Sequence, residues 1–189
     1  MIRQAGARCS AMRPARAVPA RNSSIAMAPS AAPPSRPEPL RIRDARMEEC
    51  DALSALCLKS KAHWGYDAAF IDACAPYLRV EPHCVSAGHA FVALDHEDRI
   101  VGVCQLDPEG KSGNLDLLFI DPDAIGTGAG RVLFQEAAQR LRDAGVETMT
   151  ILSDPEARGF YEAMGAVFIA DRPSDVFPGR TLPWLEMRL

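Results

Sequence analysis

The stretch Leu117-Leu118-Phe119-Ile120-Asp121-Pro122-Asp123-Ala124-Ile125-Gly126-Thr127-Gly128-Ala129-Gly130-Arg131-Val132-Leu133 decides the fold. Its apolar start reads as the end of a strand over Asn114–Ile120, which Asp121-Pro122 breaks. Gly126–Gly130 is a glycine-rich loop. Apolar residues at Val132, Leu133, Ala137 and Leu141 then recur with helical spacing, and Gly145 stops the helix. A strand thus runs into a glycine loop that opens a helix. Glycine lets the backbone turn tightly and approach a ligand closely. The first amides of a helix have no intrahelical partner, so they can donate to a phosphate, helped by the helix dipole. Two nucleotide-binding patterns are excluded. Gly130 is followed by Arg131-Val132 rather than Lys-Ser/Thr, and Gly126, Gly128 and Gly130 are evenly spaced rather than arranged as Gly-x-Gly-x-x-Gly.

Upstream of this stretch, Leu40-Arg41-Ile42-Arg43 alternates as a half-buried strand does. Met47–Ala62 carries helical spacing through Leu53, Leu56 and Cys57, and a second helix is predicted over Asp67–Leu78, ending near Pro76. Ala90–Leu94 and Arg99–Leu106 read as strands joined by the polar turn Asp95-His96-Glu97-Asp98, which makes a hairpin. Downstream, Glu147–Leu152 is a strand with Met149 and Ile151 on one side. Asp154-Pro155 suits the start of a helix running to Met164, because Asp is a good N-cap and Pro fits the first helical position. Two short strands, Ala166–Ala170 and Leu182–Leu189, close the chain. The order β-α-α-β-β-β-α-β-α-β-β predicts a mixed α/β domain over residues 40–189.

The chain has 189 residues and a formal charge of −4. The charge is uneven: residues 1–39 hold six Arg and Glu38, a net of +5, which leaves −9 for the rest. An acidic body argues against nucleic-acid binding, which needs clustered Lys and Arg, and suits a cationic substrate such as an amine. No apolar run is long enough to span a membrane. Residues 1–39, rich in Ala, Arg, Pro and Ser and without hydrophobic periodicity, are expected to be a disordered extension. Its Arg-rich, acid-poor composition matches an organellar transit peptide. The alternative is a start codon set too early, with translation beginning at Met12 or Met27. A cytoplasmic location is expected, or an organellar one if the extension targets. The six cysteines form no Cys-x-x-Cys pair and no zinc-spaced cluster, and read as mostly buried thiols. The four histidines lack metal-site spacing, so no metal is expected.

A third reading of the glycine loop fits. Ile125-Gly126-Thr127-Gly128-Ala129-Gly130 resembles the Gln/Arg-x-x-Gly-x-Gly/Ala pyrophosphate loop of the GNAT superfamily of N-acetyltransferases. It departs in having Ile125 where Gln or Arg is usual, and Arg131 offers a compensating charge. A second segment, Asp154-Pro155-Glu156-Ala157-Arg158-Gly159-Phe160-Tyr161-Glu162-Ala163-Met164-Gly165-Ala166, is similar to that family's Asn-x-x-Ala-x-x-x-Tyr-x-x-x-Gly-Phe helix, with Asp154 for Asn and Ala166 for Phe. The resemblance covers residues 40–189, including element order.

This resemblance implies a GNAT-like, mostly antiparallel central sheet flanked by helices. It also implies acetyl-CoA as co-substrate, an amine acceptor and direct attack through a tetrahedral intermediate. Residues expected at the cofactor are Leu118, Phe119, Ile120, Ile125, Gly126, Thr127, Gly128, Ala129, Gly130, Arg131, Asp154 and Ala157. A backbone amide around Leu118–Ile120 would stabilise the oxyanion. The strand bearing it would splay from Glu147–Leu152, and Tyr161 would protonate the departing thiolate. Asp116, placed by alternation on the same strand face as Leu118, is the leading candidate for the base; the alternative is an edge carboxylate in solvent. His63, Trp64 and Tyr66, between the first two helices, and Arg180, before the last strand, are candidates to line the acceptor site. They could equally form a hydrophobic plug and a solvent-facing charge. A homodimer is compatible with the resemblance. A non-catalytic acyl-CoA-binding sensor on the same fold is the competing function.

Overall fold

The structure, a computed structural model, describes residues 40–189. Strand β1 (Arg41–Asp44) leads through a single 3-10 turn into helix α1 (Cys50–Ala62), followed by α2 (Ala68–Cys74) and α3 (Pro82–Ser86). Strands β2 (Ala90–Leu94), β3 (Ile100–Glu109) and β4 (Ser112–Ile120) come next, then α4 (Ala129–Asp143) and β5 (Thr148–Leu152). Helix α5 (Arg158–Ala163) and strands β6 (Val167–Pro173) and β7 (Thr181–Arg188) complete the domain. The seven strands form one sheet in the order β1-β2-β3-β4-β5-β7-β6. Every neighbouring pair is antiparallel except β4–β5, which is parallel.

Two apolar layers clamp the sheet. On one face α4 contributes Leu133, Phe134, Ala137, Ala138 and Leu141 to a cluster with Phe91, Cys104, Leu106, Leu115, Met149, Ile151 and Tyr161. On the other, Leu53 and Cys57 of α1 and Cys84 and Val85 of α3 pack with Val80, Val92, Val103 and Leu117. All five residues of β2 are buried because helices cover both its faces. Truncating a fully buried residue such as Leu133 to Ala costs about 2–5 kcal/mol. The five cysteines among the described residues are free and buried, and burial pushes the Cys57 thiol up to about 12.

The mixed, mostly antiparallel sheet and its element order match the expectation from sequence, with differences in detail. Helix α3 is additional: it is one short turn initiated by Pro82, too brief for periodicity to register. The helix predicted over Asp67–Leu78 is α2, capped by the Asp67 side chain accepting from the Phe70 N–H (2.8 Å), and then a separate turn that contains Pro76. Helix α4 begins at Ala129 rather than Val132, so Gly130 lies inside its first turn. The extension predicted over residues 1–39 lies outside the described residues.

Candidate functional site

The parallel pair at the middle of the sheet is short. Ser112–Leu115 pair with Thr148–Ile151, and there the pairing ends. Strand β4 continues to Ile120 paired with β3 alone, while Leu152 pairs with Trp184 of β7 and the Ser153 N–H donates to the Pro183 carbonyl (2.8 Å). The two strands therefore splay, as the sequence resemblance implied. The splay leaves the peptide groups on one edge of β4 beyond Leu115 without strand partners.

Beyond this opening lies the glycine loop. Gly126 and Gly128 hold positive φ, +86° and +94°, and a side chain at either would be strained. Their conformation turns the chain so that Gly128 precedes α4. The N–H groups of Ile125 and Thr127 donate to Pro122 and Ala124 carbonyls (3.3 and 3.2 Å). Those of Gly126, Gly128, Ala129, Gly130 and Arg131 have no acceptor among the described residues. These free donors sit at the positive end of a 15-residue helix. Arg131 is exposed and forms no ion pair among the described residues. Ile125 is also exposed, at 45 %. Gly130 lies against the Phe160 ring of α5, and a Cβ there would sit at ordinary contact distance, 3.4 Å.

Tyr161 and Asp116 lie on opposite faces of the sheet. Tyr161, on α5, is 7 % exposed and packs with Phe134 and Phe160 in the α4 layer. Burial, together with the nearby Cys104 and Asp154, raises its hydroxyl well above the ordinary tyrosine value, so the group stays protonated at neutral pH. Asp116 differs from the alternation drawn from sequence. Leu106 pairs with Leu115 and Gln105 with Leu117, so Asp116 is the extra residue of a β-bulge. Leu115 and Leu118 pack toward α4, whereas Leu117 packs toward α1 and α3. Asp116 hydrogen-bonds to Gln105 beside α3, so it does not share a face with Leu118. The extra residue breaks the period of two at this point. Asp116 is exposed at the sheet surface, as the solvent-facing alternative had it, but partial desolvation still raises its carboxyl above the ordinary value; the Gln105 hydrogen bond opposes this in part, and Asp107 and Glu81 add to it.

A polar clasp closes the other side. Asp154, which also caps the turn ahead of α5 through the Glu156 N–H (3.1 Å), accepts from Lys61 at the end of α1. It further accepts from the Tyr66 hydroxyl (3.0 Å) and from Arg180 (3.2 Å), and Arg180 donates to the Tyr66 oxygen (2.8 Å). Tyr66, Phe70 and Phe177 stack with ring centroids 4.3 and 4.2 Å apart. Burial alone would raise the Asp154 carboxyl, but Lys61, the Glu156 amide and Tyr66 outweigh it and hold it below the usual range. Tyr66 and Arg180 are thus brought together with Asp154. His63 and Trp64 are exposed on the turn beyond α1, their rings 5.7 Å apart, and do not join the clasp. Ala157 ends the short turn ahead of α5 and packs against the α4 layer. Gln105, Glu81 and Lys61 were not singled out from sequence. A polar residue inside the apolar run of β3 was the one signal available for Gln105. A recess of about 460 Å³ lies across β5, β7 and β6, lined by Thr148, Val167, Ile169, Glu186 and Arg188, none of them among these groups.

A central parallel pair that opens beside a glycine loop and a helix N-terminus defines an acetyltransferase fold. The profile described as the acetyltransferase (GNAT) domain matches residues 58–189. The chain belongs to the GNAT acetyltransferase family. It is 35 % identical over 75 residues to the peptidyl-lysine N-acetyltransferase YjaB of Escherichia coli, 40 % of this chain and 47 % of that protein. It is 31 % identical over 78 residues to the uncharacterized N-acetyltransferase ycf52 of Pyropia yezoensis, 41 % of this chain and 44 % of that one. The matched stretch spans less than half of each relative. The fold superposes on the PaiA N-acetyltransferase of Thermoplasma acidophilum in complex with coenzyme A, with a TM-score of 0.65 and 13 % identity, covering 80 % of this chain and 99 % of that one. The solution structure of apo YjaB gives a TM-score of 0.56 and 26 % identity, covering 79 % and 96 %. Among the described residues no helix is long and apolar enough to cross a membrane.

Proposed function

We propose that the chain is an N-acetyltransferase that moves the acetyl group of acetyl-CoA to a primary amine of a small molecule or peptide. The observation that carries this reading is the set of unpaired amides of Gly126 and Gly128–Arg131 beside the opened β4–β5 pair. Those donors suit a diphosphate, with Arg131 as added charge. The unpaired edge of β4, Leu118–Ile120 included, suits the pantetheine peptide groups. The coenzyme A in the Thermoplasma structure and the lysine acceptor in the name of YjaB accord with both substrates.

Acetyl-CoA supplies an activated acetyl carbonyl. The acceptor enters from the α1–α3 side as an ammonium ion, and Asp116 takes one proton from it, leaving a neutral amine and a carboxylic acid. A β4 edge amide stabilises the charge that develops on the carbonyl oxygen as the amine attacks. On the opposite face, the Tyr161 hydroxyl gives its proton to the departing thiolate and regains one from the nitrogen through solvent. Tyr66 and Arg180 form the acceptor-side wall, with His63 and Trp64 at its rim.

An acetyl-CoA consumption screen against polyamines, amino acids, aminoglycosides and lysine peptides tests the reading. Turnover with at least one amine, together with CoA binding by calorimetry, is the expected result. Absence of CoA binding overturns it.

A further inference from the structure

We propose that Gln105 is a positioning residue for the base: its amide, fixed end for end by the Glu81 N–H, holds Oδ2 of Asp116 and leaves Oδ1 to receive the acceptor's proton. The proposal rests on the reading of Asp116 above and deepens it.

Gln105 is a polar side chain that is 1 % exposed, in the interior of β3. Burying an amide without partners is costly, so its two ends must both be satisfied. The backbone N–H of Glu81 donates to Oε1 at 2.8 Å. A peptide N–H can only donate, so the atom facing it must be the oxygen. The amide is thereby prevented from flipping, and Nε2 must point the other way. There it donates to Oδ2 of Asp116 at 2.6 Å. Oδ1 of Asp116 has no partner among the described residues.

The β-bulge makes this contact possible. Gln105 pairs with Leu117, and the unmatched Asp116 is turned onto the face where Gln105 lies. The amide thus acts on both orientation and proton affinity. A donor to the ionised form favours that form. It opposes burial and the acids around Asp116, namely Asp107 on β3 and Glu81 ahead of α3; the nearby thiols Cys57, Cys84 and Cys104 are held neutral by burial and add no charge. His83 on α3 acts in the same direction as Gln105.

The test is a carboxyl-detected NMR titration of the full chain, with the Asp116 resonance assigned by Asp116→Asn. In the native protein, the Gln105 Nε2 protons should shift with the same midpoint as the Asp116 carboxyl carbon. Gln105→Met removes the donor and should raise the Asp116 midpoint by about one pH unit, a tenfold change in proton affinity. Gln105→Glu keeps an acceptor for the Glu81 amide, which protects folding, and replaces the donor with a second carboxyl oxygen; it should raise the midpoint further. Gln105 protons that ignore the Asp116 titration, or variants whose Asp116 midpoint stays within about 0.3 pH unit of native, overturn the proposal. Failure of the base reading looks different. In that case Gln105→Met moves the NMR midpoint, while the pH–rate profile with the best amine of the screen does not follow it.

Discussion

Asp116 and Asp154 flank the same opening and are held in opposite ways. Asp116 is partly desolvated and lies near other acids, and its one partner, the neutral Gln105 amide, offsets this only in part, so its carboxyl is raised. Asp154 is met by Lys61, Arg180, the Tyr66 hydroxyl and a backbone amide, so its carboxyl is lowered. One carboxylate keeps an appetite for protons and the other is a fixed anion. The same side chain is proposed as a base in one place and serves as a brace in the other, according to whether its neighbours are dipoles or cations. In the family's helix motif the Asp154 position is Asn, whose neutral amide could not anchor two cations in this way. The charge here ties four separated pieces of chain: the end of α1, the α1–α2 loop, the start of α5 and the β6–β7 loop.

The largest effect expected from breaking this contrast is on Asp116. Asp116→Asn removes the proton acceptor but keeps an oxygen for Gln105, and should lower kcat/KM for a primary amine by about 10²–10³-fold. The deficit should narrow as pH rises and the free amine becomes abundant, which steady-state rates across pH 6–10 will check. A rate within threefold of native would make Asp116 a spectator. Asp154→Ala should act on stability. It leaves Lys61 and Arg180 without their shared anion, and the three side chains are only 12–23 % exposed. A cost of about 2–3 kcal/mol follows, a fall in Tm of about 4–10 °C by calorimetry. A fall below 2 °C would mean that solvent already screens the clasp.

Tyr161 sharpens the contrast from the other face. Its raised hydroxyl stays protonated at neutral pH. Tyr161→Phe should lower kcat by about 10–100-fold while CoA affinity stays within about twofold. Rates and affinity both unchanged would favour the non-catalytic acyl-CoA sensor, with Tyr161 as packing alone.

Much of the fold was legible because its signals are local. The glycine loop after a strand, and Ala157 and Tyr161 one turn apart behind an Asp-Pro start, are each carried by a few consecutive residues. Two features were not legible. The bulge at Asp116 depends on how β3 pairs with β4, and the uninterrupted run Leu117-Leu118-Phe119-Ile120 hides the change of face that strict alternation would have displayed. The clasp joins residues far apart in the chain: Lys61 and Asp154 are 93 positions apart, and Tyr66 and Arg180 are 114. Tyr66 and Arg180 were acceptor-site candidates through the family resemblance of their loops, but Lys61 stood beside them without any local mark.

The smallest effect separates the two aspartates by sign. The native Asp154 carboxyl titrates below its unfolded value, so its stabilisation is present above the unfolded pKa and is lost as pH falls through the native one. That places its contribution at neutral pH and its loss in the acid limb, below about pH 4. The native Asp116 carboxyl titrates above its unfolded value. Its favourable contribution is full below the unfolded pKa and disappears as pH rises through the native one, so at neutral pH the ionised group is a net cost to folding. Urea midpoints at pH 7 and pH 3 check both. Asp116→Asn should unfold at a slightly higher urea concentration than native at pH 7, with the gain vanishing at pH 3. Asp154→Asn should lose stability at pH 7 and approach native at pH 3. Midpoints that move in the same direction for both variants at pH 7 would erase the distinction between proton acceptor and fixed anion.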